Sequence, residues 1–337
     1  MFSCTHTFMF SKLGCLTQLK FLNRAGQFQF AWICVVATSC LFVGSFEAIA
    51  DSDFEMHEVA SGVWVHTGQI GDFAPENRGD LANLSFVIGE RCVAVIDTGG
   101  SRSVGEALLG AIRRKTKLPV CYVMTSHMHP DHLLGHAAFL NEHPQFVAAA
   151  TQAKALSIRR MGYLARQKAT LGESLSKGTE VILPTHPVTG SEQFDLGGRF
   201  LTVQTWRTAH TDNDVTVQDS QTQTLFTGDL LFVDHLPVID GSIKGWLAIL
   251  PELRALAQGP VVPGHGPDTQ KDGLKAFSLE QDYLMSVASE VRAALRAHQT
   301  LQQAVSATKL PEGTWKLADL YHRRNITAAF AELEWED

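Results

Sequence analysis

Residues 126–136 read SHMHPDHLLGH, which places four histidines and one aspartate directly behind the apolar run VCYVMT. The apolar run suits a strand covered on both faces, so its polar end should emerge at the carboxyl edge of a sheet, where open α/β sheets place their sites. His127 and His129 are two apart, and on an extended segment both rings point the same way. Pro130 biases His129 toward an extended backbone and can itself open a helix, so Asp131 and His132 fall at a strand-to-helix corner, facing a different side. One short stretch can therefore supply ligands to two adjacent metal ions. Imidazole and carboxylate are the ligands zinc takes when thiolates are absent.

Two ligands per ion are too few, and three later positions have the right chemistry. His210 follows a strand pattern in WRTAHTDND, Asp229 ends one in TLFTGDL, and His265 stands between glycines in VVPGHGP. Each comes just after an apolar run, so all three can converge on one sheet edge.

The run His127-x-His129-x-Asp131-His132, with His210, the GD at Asp229 and the GHG at His265, resembles the metallo-β-lactamase superfamily over roughly residues 60–270. The resemblance implies an α/β fold, an αββα sandwich of two mixed sheets flanked by helices, with a dinuclear metal centre at one edge. Position by position, it implies that His127, His129 and His210 hold one ion. Asp131, His132 and His265 hold the other, and Asp229 bridges them. Asp97, in IDTG, would steady one of these ligands from behind. The cofactor expected is two Zn(2+) per chain, with iron or manganese as substitutes.

A hydroxide formed from water on two such ions would attack an ester, thiolester or lactone-like carbonyl, with Asp131 orienting it and relaying its proton. No serine or cysteine nucleophile motif is present. Asp229 beside His132, with no cysteine ligand, is similar to the glyoxalase-type arrangement. True zinc β-lactamases usually lack that aspartate, so class B-like lactamase activity ranks as an alternative. The others are a mono-iron persulfide dioxygenase and a non-catalytic accessory protein. FVDHLPVIDGSIKGW and the tail LYHRRNITAAFAELEWE resemble the quinoprotein relay system zinc metallohydrolases, which implies a setting beside a quinoprotein dehydrogenase. Shortly after Asp229, the residues His235, Ser242 and Lys244 are substrate-side candidates, whereas His136 reads as packed one turn beyond His132.

Elsewhere, short β-branched runs closed by glycine alternate with helical periods. GVWVHTG, LSFVIG and CVAVIDTG read as strands and SVGEALLGAIRRKT as a helix. Residues 70–83 are too long for a tight hairpin and read as a flap or binding loop. Residues 151–175 look helical, with Arg159, Arg160, Arg166 and Lys168 on a solvated face. Residues 274–298 form a long amphipathic helix. No linker divides the chain after Asp51, so one domain is expected over 51–337, with a core at about 60–270 and a helical extension beyond.

The first fifty residues differ in kind. An uncharged apolar run, Phe28 to Phe46, follows Lys12, Lys20 and Arg24 and precedes the small-x-small exit Ala48–Ala50. That is the layout of a secretory signal peptide cleaved after Ala50, which implies a periplasmic or secreted protein with no stable membrane association. Its loss removes three cations and Glu47, taking the net charge from −7 to −9. Such acidity disfavours nucleic acid and leaves a small molecule as the expected partner. Only Cys92 and Cys121 remain, able to close one disulfide but read as two small buried apolar side chains.

Overall fold

The computed structural model describes residues 54–269, 273–311, 313 and 315–336; the proposed leader and its cleavage site lie outside them. Two sheets carry the architecture. The first orders β1 (His57–Ala60), β2 (Val63–His66), β3 (Leu84–Ile88), β4 (Val93–Ile96), β5 (Val120–Met124), β6 (Gln145–Ala149) and β7 (His186–Val188). Its first four strands form an antiparallel meander and the rest run parallel. The helix α1 (Arg102–Lys115) supplies the β4–β5 crossover, capped by Ser101, whose side chain accepts from the Val104 amide. Crossing β5 to β6 are the single turn α2 (Pro130–Leu133) and a 3-10 segment, His136–Glu142; α3 (Gln152–Ser176) leads on to β7.

The second sheet orders β12 (Val261–His265), β11 (Leu225–Phe232), β10 (Val215–Asp219), β9 (Phe200–Thr205) and β8 (Ser191–Asp195), antiparallel except for the β11–β12 pair. On it lie α4 (Ile243–Leu256), α5 (Gly273–Arg296), α6 (Leu301–Ala307) and α7 (Ala318–Leu333).

Strand alternation sorts the core into layers. Val63 and Val65, with Ala94 and Ile96, meet Leu201, Val203, Val215 and Val217 of the opposite sheet between the two. Val93 and Val95 turn the other way, onto Leu108 and Ile112 of α1. Behind the second sheet, Leu231 of β11 packs with Trp246 of α4 and Leu284, Val287 and Val291 of α5. Helix, sheet, sheet, helix is the expected αββα order, and burial on both faces explains the near-continuous apolar character of β5.

One expectation needs correction. Cys92 and Cys121 are joined by a disulfide, with Cα atoms 5.8 Å apart. The parallel pairing of β4 with β5 sets Val93 against Val120 and so brings the neighbouring cysteines side by side. The basic face of α3 is solvated as expected at Arg160, Arg166 and Lys168, and Arg159 and Arg166 also line a cavity. Among the described residues, no helix is long and apolar enough to cross a membrane.

Candidate metal centre

All seven histidine and aspartate positions meet at the carboxyl ends of β5 and β12, within β11 and in the loop after β9. They fall into two groups: His127, His129, His210 and Asp229, and Asp131, His132 and His265, with the ligand atoms of each group within 4.8 Å of one another. Asp229 stands between them. Its Oδ2 lies 3.3 Å from His210 Nε2 and 3.7 Å from His127 Nε2. Its Oδ1 lies 3.2 Å from His132 Nε2 and 3.5 Å from His265 Nε2. Asp131 Oδ2 faces the second group, 3.3 Å from His265 Nε2.

Hydrogen bonds on the far side of each ring decide which nitrogen faces inward. His210 donates from Nδ1 to the Val238 carbonyl (2.7 Å) and His265 from Nδ1 to that of Leu81 (3.0 Å). His132 donates from Nδ1 to Asp97 Oδ2 at 2.8 Å. The Ser126 hydroxyl donates to Asp97 (2.7 Å), which leaves its oxygen to accept from His127 Nδ1 (3.0 Å). All four rings thus spend their Nδ1 proton outward and turn Nε2 toward the site. His129 is reversed: its Nε2 donates to Asp240 Oδ2 at 2.9 Å, so Nδ1 faces the site. Asp97 therefore steadies His132 directly and His127 through Ser126. Its φ of +57° is the left-handed conformation that aspartate tolerates better than most residues.

This arrangement fits a metal. Inside the protein, His127 Nε2, His132 Nε2 and Asp229 Oδ1 are buried with no hydrogen-bond partner, a costly condition unless something binds them. His129 Nδ1 and His210 Nε2 stand 3.0 Å apart, two lone pairs facing each other unless a cation lies between. With no ion, the protonation states conflict. Burial, partly opposed by Asp229, lowers His210 to about 4. Burial acts the same way on His265, but Asp229 and Asp131 outweigh it and raise the ring to about 9. His132 is likewise raised against burial by Asp229, Asp97 and Asp131. On Asp229 burial favours the acid form, yet the charges of His265, His132 and His127 hold it well below the usual carboxylate range. Bound cations would remove the need for these buried protons.

The glycines beside His265 are steric requirements. A Cβ on Gly264 would strike the Asp229 carboxylate, and one on Gly266, whose φ is +88°, would strike the Val233 carbonyl.

Over the site opens a cavity of about 460 Å³, lined also by Asp72 and Phe73 of the 70–83 loop, Arg166 of α3, and Tyr321 and Arg324 of α7. His235 lines it as well, its ring centroid 5.0 Å from that of His265 and 5.5 Å from that of Tyr321. Its Nδ1 donates to the Leu236 carbonyl at 2.7 Å, and burial lowers its pKa to about 4. Ser242 and Lys244 are not brought to this cavity. Ser242 caps α4 and donates to Glu332 at 2.6 Å; Lys244 pairs with Glu336 at 3.5 Å. A helix start so close to Asp229 in the chain turns both away. His136 is packed as expected, 3.0 Å from the Thr125 hydroxyl and against Phe146, and burial lowers it to about 3. Sequence reasoning missed Asp240, Ser126 and Arg166, whose local patterns are those of an ordinary turn, strand end and helix face.

Residues 78–265, more than half of the chain, match the Metallo-beta-lactamase superfamily family model. No curated protein sequence matches the chain. Among solved structures, a metallo-beta-lactamase from Pontibacter korlensis superposes with a TM-score of 0.54 at 23% identity, covering 68% of this chain and 98% of that one. The stereoselective inverting sec-alkylsulfatase Pisa1 from Pseudomonas sp. superposes at 0.62 with 16% identity, over 83% of this chain and 50% of that one. At these identities the two structures bear on the fold alone. The family match, the layered sheets and the convergent histidines and aspartates agree, and the chain belongs to the metallo-beta-lactamase superfamily.

Proposed function

We propose that the protein is an exported metallohydrolase that holds two zinc ions and cleaves an ester, thiolester or lactone-like carbonyl of a small molecule. The observation that carries this reading is Asp229, with one carboxylate oxygen toward His127 and His210 and the other toward His132 and His265. His127, His129 and His210 would hold one ion, Asp131, His132 and His265 the other, and Asp229 both. When bound, such ions lower the pKa of water toward neutrality and polarise a carbonyl oxygen.

The chain's own groups then have separable tasks. Both carboxylates line the cavity, but the Asp229 side chain is only 5% exposed and faces four histidines, whereas that of Asp131 is 16% exposed. Asp131 is thus the carboxylate that can orient an attacking water and take up its proton. Asp97 and Asp240 hold His132 and His129 in orientation, and the apolar ring of Phe232 borders the pocket. His235, neutral at physiological pH, offers the substrate a hydrogen-bond acceptor at Nε2.

The apolar leader and the resemblance of residues 232–246 and 320–336 to quinoprotein relay system metallohydrolases support a periplasmic setting beside quinoprotein alcohol oxidation. The deciding experiment loads the mature protein with zinc, counts bound metal, and assays an ester, thiolester, lactone, lactam and sulfate-ester panel with Asp229→Ala as control. Turnover of a carbonyl ester that depends on two zinc ions and is lost in Asp229→Ala supports the proposal. A single iron with no hydrolysis points to a persulfide dioxygenase, and two metals with no turnover to an accessory protein. Intact mass of protein recovered from a periplasmic extract tests cleavage after Ala50.

A further inference from the structure

The metal-side cavity is one of two that meet at α3. A second, of about 470 Å³, is walled by Leu134, Ile158, Gly162, Tyr163 and Gln167. Phe73, Pro130, Arg166 and Thr170 line both, so the two adjoin along that seam. Its wall is mixed, with Leu134, Ile158 and Tyr163 beside His129, Arg159, Gln167 and Asp240. Ile158, on its wall, is 72% exposed.

Arg166 stands at the junction and is exposed. Several arginines of this chain are committed to carboxylates: Arg102 to Glu106, Arg113 to Glu142, Arg199 to Asp219 and Arg292 to Glu336; Arg324, which also lines the metal-side cavity, lies over the Tyr321 ring at 5.3 Å. Among the described residues, no carboxylate closes an ion pair with Arg166, although the chain has 35 acidic against 28 basic residues. Arg159 lies seven positions away on the same helix face, two turns along, but its charge already acts on Asp240. Arg166 is left lining both cavities with a planar fork of donors, a group able to recognise a carboxylate through two parallel hydrogen bonds.

We propose that Arg166 recognises a carboxylate carried by the substrate at the far end of a short spacer, with the scissile carbonyl over the metal centre and the spacer against Phe73 and Pro130. This rests on the hydrolase reading and narrows it to half-esters or half-thiolesters of acidic compounds.

The test compares 4-nitrophenyl butyrate with 4-nitrophenyl hydrogen glutarate on the zinc-loaded protein, as the ratio of kcat/KM for the anionic over the neutral ester. The wild type favours the anionic ester. Arg166→Gln lowers the ratio about 10- to 100-fold, chiefly through KM of the anionic ester. Arg166→Lys restores part of it. Arg160→Gln, an exposed neighbour lining neither cavity, leaves the ratio where it was. A merely structural role would lower both esters together and leave the ratio unmoved, which overturns the proposal. Glutarate titrated calorimetrically into metal-free protein supplies a reading independent of turnover. Binding that weakens in Arg166→Gln supports the subsite, and binding indifferent to that change refutes it. If neither ester is cleaved, the hydrolase reading fails while this titration still decides the role of Arg166.

Discussion

His129 faces the site with Nδ1, where the other four histidines present Nε2, because Asp240 Oδ2 lies 2.9 Å from its Nε2 and accepts that proton. One carboxylate, 111 residues away in sequence, thus selects the ligand atom. Replacing Asp240 with Ala frees the ring to take the other tautomer and to swing. Affinity for the ion at that group should fall about 10- to 100-fold, read by competition with a chromophoric chelator. Unchanged affinity would show that Asp240 is only a surface partner.

Gly264 sits where any side chain meets the Asp229 carboxylate. The change Gly264→Ala should destabilise the fold by about 1–3 kcal/mol, the usual cost of overpacking, and reduce bound metal to less than the wild-type stoichiometry. Urea unfolding and metal analysis of the same preparation check both. Full stability with full metal content would contradict the steric account.

A pH dependence follows from His136, which burial lowers to about 3 while an unfolded chain would protonate it near 6.5. Below that value the unfolded state binds a proton that the folded state refuses, so stability falls as pH falls from 6.5 toward 3. Between pH 7 and pH 5 the loss from this ring is about 2 kcal/mol. Metal-free wild type should therefore lose about that much more stability over this range than His136→Gln. Equal slopes in urea unfolding at the two pH values would exclude the effect.

The Cys92–Cys121 bond closes a loop with a sequence separation of 29 between the strands that deliver Asp97 and His127. On the chain-entropy model its loss costs about 3–4 kcal/mol. Urea unfolding of the Cys92→Ala/Cys121→Ala double variant measures it, and alkylation with and without reductant shows whether the thiols are paired in the purified protein.

Much of the site was legible from its chemistry. Histidine and aspartate at strand ends, with glycines on either side of His265, have few roles other than binding an ion, and all seven positions do converge. Arg166, Asp240 and Ser126 carried no such mark, because arginine on a helix, aspartate in a turn and serine after a strand are common everywhere. Ser242 and Lys244 show the opposite error: nearness in sequence to Asp229 suggested nearness in space, and the cap of α4 turned them aside.

Period-two alternation and chemically narrow residue types belong to the sequence itself, since they depend only on local backbone geometry and on what an imidazole or carboxylate can bind. Which tautomer each histidine adopts, that Cys92 meets Cys121, and that α3 and α7 wall the cavity were decided by tertiary packing. Those relations join residues tens to hundreds of positions apart, and no local preference encodes such distances.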